Sequence, residues 1–347
     1  MLTTVFPMPA PQLAVHDIRE RRARRGSIRD RGKRIEIGLV NNMPDAAVAA
    51  TERQFTRLLE AASSEFDIAL RLYALDEVPR TIETRAAMAR SHHNPAHLLI
   101  RPPDALIVTG AEPQTPTLPQ EPYWKALTTL IDWADGHTIS MLLSCLAAHA
   151  GVLHLDGVQR EPLPVKRSGV FAFEIVSEHR LVAGMGARYL APHSRHNGLN
   201  DGALTREGYF VLARSDVGEV DLFIKDRGCL MVFVQGHAEY DDDSLAREYR
   251  RDIARYLRGE RDAAPAPPER YYPACAIAPL QAFAARARLE RSPDLMNDFP
   301  TLGGLGPSDA PWRKPGAQLY RNWIGVIAER KLARLAPTTF AMRRWGG

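Results

Sequence analysis

Apolar and polar positions along this chain fall into two alternating rhythms. Ile35, Ile37, Leu39 and Val40 make a short strand, closed by the polar, proline-containing turn NNMP at 41–44. Phe55, Leu58, Leu59 and Ala62 then recur at helical spacing and predict a helix over about 46–62. FDIALRLYAL reads as a second strand, TIETRAAMARSHHNPAHLL as a helix-like segment, and DALIVTGAEP as a third strand ending in a glycine turn. YWKALTTLIDWADG is an amphipathic helix. The run Ile139 to Leu143 is a fourth strand, and Leu146, Ala147, Ala148, Ala150 and Leu153 continue as a helix. Strands apolar along nearly their whole length, alternating with helices, predict a parallel sheet covered on both faces. Ligands of such sheets collect at the carboxyl ends of the strands, where Asn41, Gly110 and Cys145 all fall.

From about Val158 to Gly228 the rhythm shortens. SGVFAFEIV, YFVLARS and VDLFIKD predict a more antiparallel section, with APHSRHN between two of its elements. CLMVFVQGHAEYD returns to a buried strand with a glycine turn, and DSLAREYRRDIARYLRGE is a charge-rich helix. Beyond 259 come the proline-rich linker AAPAPPERYYP, a short helix (LQAFAARARLER), the loop TLGGLGPSDAP and a last helix near LYRNWIGVIAERKLARL. TLGGLGP follows no strand and precedes no Gly-Lys-Ser, so it reads as a plain loop rather than a phosphate cradle. The organisation predicted is a basic arm over 1–34, a main domain over 35–258 and a C-terminal extension over 259–347.

Composition narrows this little. With 45% hydrophobic and 25% charged residues among 347, the chain is of ordinary globular make-up, and no apolar run is long enough to span a bilayer. Its first residues lack the pattern of a secretory signal. Cys145, Cys229 and Cys275 give neither a disulfide framework nor a metal-type pairing, so a reducing cytoplasm is expected. The basic run Arg19 to Arg34 is interrupted by Glu20 and Asp30 and carries no aromatics for stacking; it reads as a solvated lead-in, not a nucleic-acid contact. The pair His92–His93, with no carboxylate or cysteine at ligand spacing, reads as a surface loop.

The candidate chemistry lies in two places. A cysteine at a strand-to-helix junction sits where free backbone N–H groups and the positive helix end favour a thiolate, the geometry of a nucleophile elbow. In GHAEYD, just past another buried strand, His237 and Glu239 would share one face if the backbone stays extended. A carboxylate on one imidazole nitrogen leaves the other free to move a proton at a thiol or hydroxyl. Cys145, His237 and Glu239 thus form a candidate triad for acyl transfer through a thioester, with the backbone N–H groups of Leu146 and Ala111 as the oxyanion donors.

Several blocks in order carry a resemblance: NNMP with TERQF (51–55), DALIVTGAEP, Tyr123–Trp124, the Cys145 segment, VKRSGVF (165–171), APHSR (191–195), GHAEYD (236–241) and EYRRD (248–252), and more weakly PWRKPGAQLYRNWI. The chain resembles the homoserine O-acyltransferase family of the homoserine O-succinyltransferase type, relatives of the class I glutamine amidotransferases, over about 35–258. The resemblance implies an α/β, flavodoxin-like, amidotransferase-like fold with a mostly parallel sheet, helices on both faces and a C-terminal extension. It also implies ping-pong transfer of a succinyl or, less favoured, acetyl group from acyl-coenzyme A through Cys145 to the hydroxyl of L-homoserine, for methionine synthesis, in a cytoplasmic homodimer. No metal, tightly bound cofactor, membrane or nucleic acid is called for. By motif, Lys166, Ser194 and Arg251 fall on substrate-binding positions, Arg195 is a further candidate, and Gln114 stands at the acyl-donor specificity position. Trp323 and Ile324 of the last helix are candidate dimer contacts.

The chain departs from the family at Leu146, usually Trp, at Asp45, where basic residues are familiar, at Ala238, usually Pro, and at Gln114, where Gly or Glu is usual; the stretch 276–311 looks long. These leave the triad untouched and bear on the donor and the acceptor. Competing readings are the same thioester chemistry on serine or an amine, glutamine amide hydrolysis, and a non-catalytic binding module. Against hydrolysis, Leu143 and Ala147 replace the glycines of the amidotransferase elbow.

Overall fold

A computed structural model of the chain describes residues 33–300 and 309–336. Most of the basic run, through residue 32, and the TLGGLGP segment lie outside the described residues. The first half of the chain runs β1 (Arg34–Val40), α1 (Val48–Ala62), β2 (Asp67–Tyr73), α2 (Ile82–Met88), α3 (Ala96–Ile100), β3 (Ala105–Val108), α4 (Trp124–His137), β4 (Ser140–Ser144) and α5 (Leu146–Asp156). There follow β5 (Glu161–Ile175), β6 (Arg188–Gly198), α6 (Asp201–Arg206), β7 (Phe210–Arg214), β8 (Val220–Asp226) and β9 (Leu230–Val234). Three helices close the chain: α7 (Ser244–Leu257), α8 (Ala274–Leu289) and α9 (Arg313–Leu335).

All nine strands join one sheet, in the order β2-β1-β3-β4-β9-β8-β7-β5-β6. From β2 to β9 every pairing is parallel; from β9 onward every pairing is antiparallel. The parallel half is the alternating part of the sequence, and the antiparallel half is the stretch where the rhythm shortened. APHSRHN is not a connection, however: it lies within β6, hydrogen-bonded along β5.

Strand alternation divides the core between the two faces. Ile35, Ile37 and Leu39 of β1 and Val232 of β9 pack with Phe55 and Leu59 of α1 and Leu319, Trp323 and Ile327 of α9. On the other face Leu106, Val108, Met141, Leu143 and Phe233 pack with Ile131 of α4 and Ala148 and Val152 of α5. Trp323 and Ile324 are fully buried in the first of these layers. The expectation that they face a second copy is therefore corrected: their apolar surface is already covered within the protomer. A third cluster, with Tyr249 and Ile253 of α7, Leu280 and Phe283 of α8, and Trp312, lies apart from both faces.

The β5–β6 ribbon meets β7 at only two register pairs, Glu174–Arg214 and Ile175–Ala213. Farther along, the proline-rich linker stitches it down. Glu269 N–H donates to Ser168 O at 2.8 Å, and Val170 N–H donates to Glu269 O at 2.9 Å. A Cβ on Gly169 would fall 2.3 Å from that carbonyl oxygen, so the crossing requires glycine. No helix among the described residues is long and apolar enough to cross a membrane.

Candidate active site

Strand β4 is buried throughout and delivers Cys145 directly onto the start of α5. Cys145 takes φ +51° and ψ −111°, a conformation rarely adopted by a side-chain-bearing residue. Its N–H donates to Val234 O at 2.7 Å, locking the bend to the end of β9. As first residue of α5, Leu146 directs an N–H with no intrahelical acceptor toward the same end. Gly110 lies hard against it: a Cβ there would sit 2.7 Å from Leu146 Cβ and 3.0 Å from Leu146 N. The turn Gly110–Ala111 and the helix start therefore face one another beside the sulfur, where oxyanion donors would have to stand.

β9 runs parallel to β4 and ends at the same edge, so His237 arrives beside Cys145. The His237–Glu239 pair forms differently from the expected extended segment. Tyr240 N–H donates to His237 O at 3.2 Å, and the turn folds Glu239 Oε1 to 2.8 Å from His237 Nδ1. Burial works against a charged imidazole here, but the carboxylate of Glu239 and the sulfur of Cys145, by charge and by hydrogen bond, outweigh it. His237 is held protonated well above its ordinary range. Tyr240 stacks on the imidazole, 4.2 Å between ring centroids and 16° between planes.

Behind the triad lies a buried polar network that the sequence did not signal. Asp221 on β8 accepts the Gly236 N–H at 2.7 Å and the Tyr189 hydroxyl, and stands 3.2 Å from His193 Nε2. His237 N–H in turn donates to Pro192 O at 2.9 Å. Gln235 Oε1 accepts from His149 Nε2 at 2.6 Å, tying the loop to the nucleophile's own helix. Burial pushes the His149 pKa down to about 4, so this imidazole is neutral at physiological pH.

Of the substrate-binding candidates, Lys166, Ser194 and Arg251 converge on α7. Lys166 Nζ donates to Asp252 Oδ2 at 2.7 Å and lies 3.8 Å from Glu248; Ser194 donates to Glu248; Arg251 Nη2 donates to Asp252 Oδ1 at 3.1 Å. Tyr240 adds a hydroxyl to Glu248 Oε1 at 2.5 Å. Glu248 and Asp252 stand in the same EYRRD block as Arg251, and Asp252 is the acid with which Arg251 pairs. Arg195 points elsewhere. It is buried, with Nη1 on Asn197 O at 2.7 Å, Nε on His193 at 3.2 Å and Nη2 3.3 Å from Glu219. Its donors thus face the protein interior rather than an open clamp.

Gln114 borders a cavity of about 220 Å³ that Ala111 also lines. Glu121 holds that loop, accepting the backbone N–H of Gln114 at 2.8 Å and of Thr115 at 2.9 Å. The His92–His93 pair differs from expectation: His92 Nε2 is 3.1 Å from Glu52 and largely buried, and His93 packs on Tyr73. Among the described residues no group of three or more His, Cys, Asp or Glu side chains is placed to hold a metal.

Residues 12–332 match the family model described as HTS, homoserine O-succinyltransferase. This chain belongs to the homoserine O-succinyltransferase family. It is 51% identical over 298 residues to a homoserine O-succinyltransferase of Methylorubrum extorquens, covering 86% of this chain and 88% of that one. To one of Rhodopseudomonas palustris it is 46% identical over 294 residues, covering 85% and 88%. Among solved structures it is similar to a glutamine amidotransferase from Methylobacillus flagellatus, at a TM-score of 0.48 and 16% identity over 85% of this chain and 95% of that one. In this homoserine O-succinyltransferase family member, Ala238 at the position usually Pro packs on α9: a Cβ on Gly316 would meet Ala238 Cβ at 2.9 Å. The catalytic turn and the last helix are thus fitted to each other.

Proposed function

We propose that this chain moves a succinyl group from succinyl-coenzyme A to the hydroxyl of L-homoserine through a thioester on Cys145. The observation that carries the reading is the Cys145–His237–Glu239 arrangement at the head of α5. Cys145 attacks the donor's thioester carbonyl as a thiolate, and the developing oxyanion is held by the Leu146 and Ala111 N–H groups. The carbon–sulfur bond to coenzyme A then breaks, and the departing sulfur takes the proton from His237. His237, now neutral, accepts the proton of the homoserine hydroxyl as that oxygen attacks the acyl-enzyme. Collapse expels the Cys145 sulfur and returns the site to its starting charge. Glu239 keeps the imidazole oriented in both halves.

Lys166, Ser194 and Arg251 hold the amino-acid acceptor: the cations suit its carboxylate, and Glu248 suits its ammonium group. The enzyme acts in the cytoplasm as a homodimer; a one-chain mass in light scattering would remove the dimer. Intact-protein mass spectrometry tests the chemistry. Succinyl-coenzyme A should add a succinyl mass to Cys145, and L-homoserine should discharge it. An adduct that homoserine leaves in place would redirect the acceptor to serine or an amine. Absence of any adduct on a reduced Cys145 would overturn acyl transfer.

A further inference from the structure

One turn beyond Arg251, α7 presents Arg255 to the wall of the cavity that Ala111 and Gln114 line. Arg255 grips Glu112 with both terminal nitrogens, Nη1 on Oε1 and Nη2 on Oε2, the latter at 3.2 Å. This is the two-point arrangement in which a guanidinium recognises a carboxylate. Both partners line the cavity. Tyr123 also lines the cavity; it is almost wholly buried and its hydroxyl has no hydrogen-bond partner. Burying such a group without a partner is unfavourable unless a ligand or water completes it. On the side of the nucleophile, Ala111 of the cavity wall follows Gly110, and Gly110 abuts Leu146, the residue after Cys145.

A cation fixed for a carboxylate and an unfilled hydroxyl donor, in one cavity beside the acylated sulfur, fit an acyl chain that ends in a carboxylate. An acetyl group carries no carboxylate for the guanidinium to meet. We propose that Arg255 binds the distal carboxylate of the succinyl donor, with Glu112 holding the guanidinium in place and the Tyr123 hydroxyl as a second donor. The inference rests on the acyl-transfer reading and names the side chain that selects the donor. Glu112 and the incoming carboxylate share one neighbourhood, and this is tolerable because Arg251 and Arg261 act on Glu112 together with Arg255.

The experiment compares kcat/KM for succinyl- and acetyl-coenzyme A in the wild type, Arg255→Gln and Arg255→Lys, with homoserine as acceptor. A ratio taken within one preparation is independent of how much of a variant folds. Arg255→Gln should lower the succinyl-to-acetyl ratio by about 10- to 100-fold, the loss of one hydrogen-bonded charge partner. Arg255→Lys, which keeps the charge without the fork, should recover part of it. An unchanged ratio in Arg255→Gln, or a wild type that prefers acetyl-coenzyme A, overturns the assignment while leaving thioester chemistry intact. A wild type that forms no thioester with either donor brings down the acyl-transfer reading itself, and the assignment with it.

Discussion

Glu239 touches no reacting atom in the proposed mechanism, yet it decides which nitrogen of His237 faces Cys145. Glu239→Gln keeps the size and a hydrogen-bonding group but removes the charge that sustains the imidazolium. We expect kcat to fall by about 100-fold or more, with the acylated Cys145 accumulating in mass spectra if the second half is the slower. His149 makes a different contribution. Its pKa in the fold is about 4 against an ordinary 6.5, so the unfolded chain binds the extra proton first as pH falls. The stability this neutral imidazole provides is complete above 6.5 and is lost as pH drops through about 4, amounting to ~3 kcal/mol at most. Urea denaturation of His149→Gln should show a shallower loss of stability between pH 6.5 and 4 than the wild type. An equally steep loss in both would remove His149 as the titrating group. Cys145, His237 and Glu239 were legible in the sequence because each lies within a short segment beside an apolar strand. Asp221, Tyr189 and His193 were not, since only the pairing of β8 and the placement of β6 bring them behind Gly236.

At the scale of elements, the junction of β4 with α5 was readable from its change of period, from an apolar run to helical spacing. His237 and Glu239 meet as expected, but through a turn and not along an extended strand. Alternation along an extended strand and a tight turn can both bring residues two apart together, and sequence period does not distinguish them. Helices α8 and α9 begin earlier than their apolar spacing suggested, α8 carrying Pro279 inside it and α9 starting at Arg313. Polar and small residues dominate APHSRHN and suggest a connection, although β5 pairs along it. Close approach of two elements offers a sharper test. Gly110→Ala puts a methyl 2.7 Å from Leu146 Cβ, so either the 109–112 turn or the head of α5 must move. We expect up to about a 100-fold loss in kcat from such a displacement, read in steady-state kinetics, with the melting temperature reporting whether the damage stays local. Full activity in this variant would show that the turn is free to retreat and does not set the oxyanion geometry.

Over the whole molecule, the last helix is part of the sheet's cover and not an appendage. Trp323 is fully buried and its indole N–H donates to Ser140 Oγ at 2.8 Å, beneath the strand that carries Cys145. Trp323→Ala should cost about 3–5 kcal/mol, measured as a shift of the denaturation midpoint, with no change in oligomeric mass. A variant that merely dissociated into monomers would revive the dimer contact that its burial argues against. The stitch between Gly169 and Glu269 sets an order in time as well as in space. A chain emerging from the ribosome carries its nucleophile, histidine and carboxylate well before residue 269 appears. Until then the ribbon bearing Lys166 and Ser194 is joined to the sheet by its two-pair contact with β7 and by the bonds of Tyr189, Pro192 and His193 to Asp221 and His237, and one face of the sheet awaits α9. A nascent chain halted before Glu260 would thus hold the full reactive set without the geometry to use it, and thioester chemistry would begin only on a finished molecule.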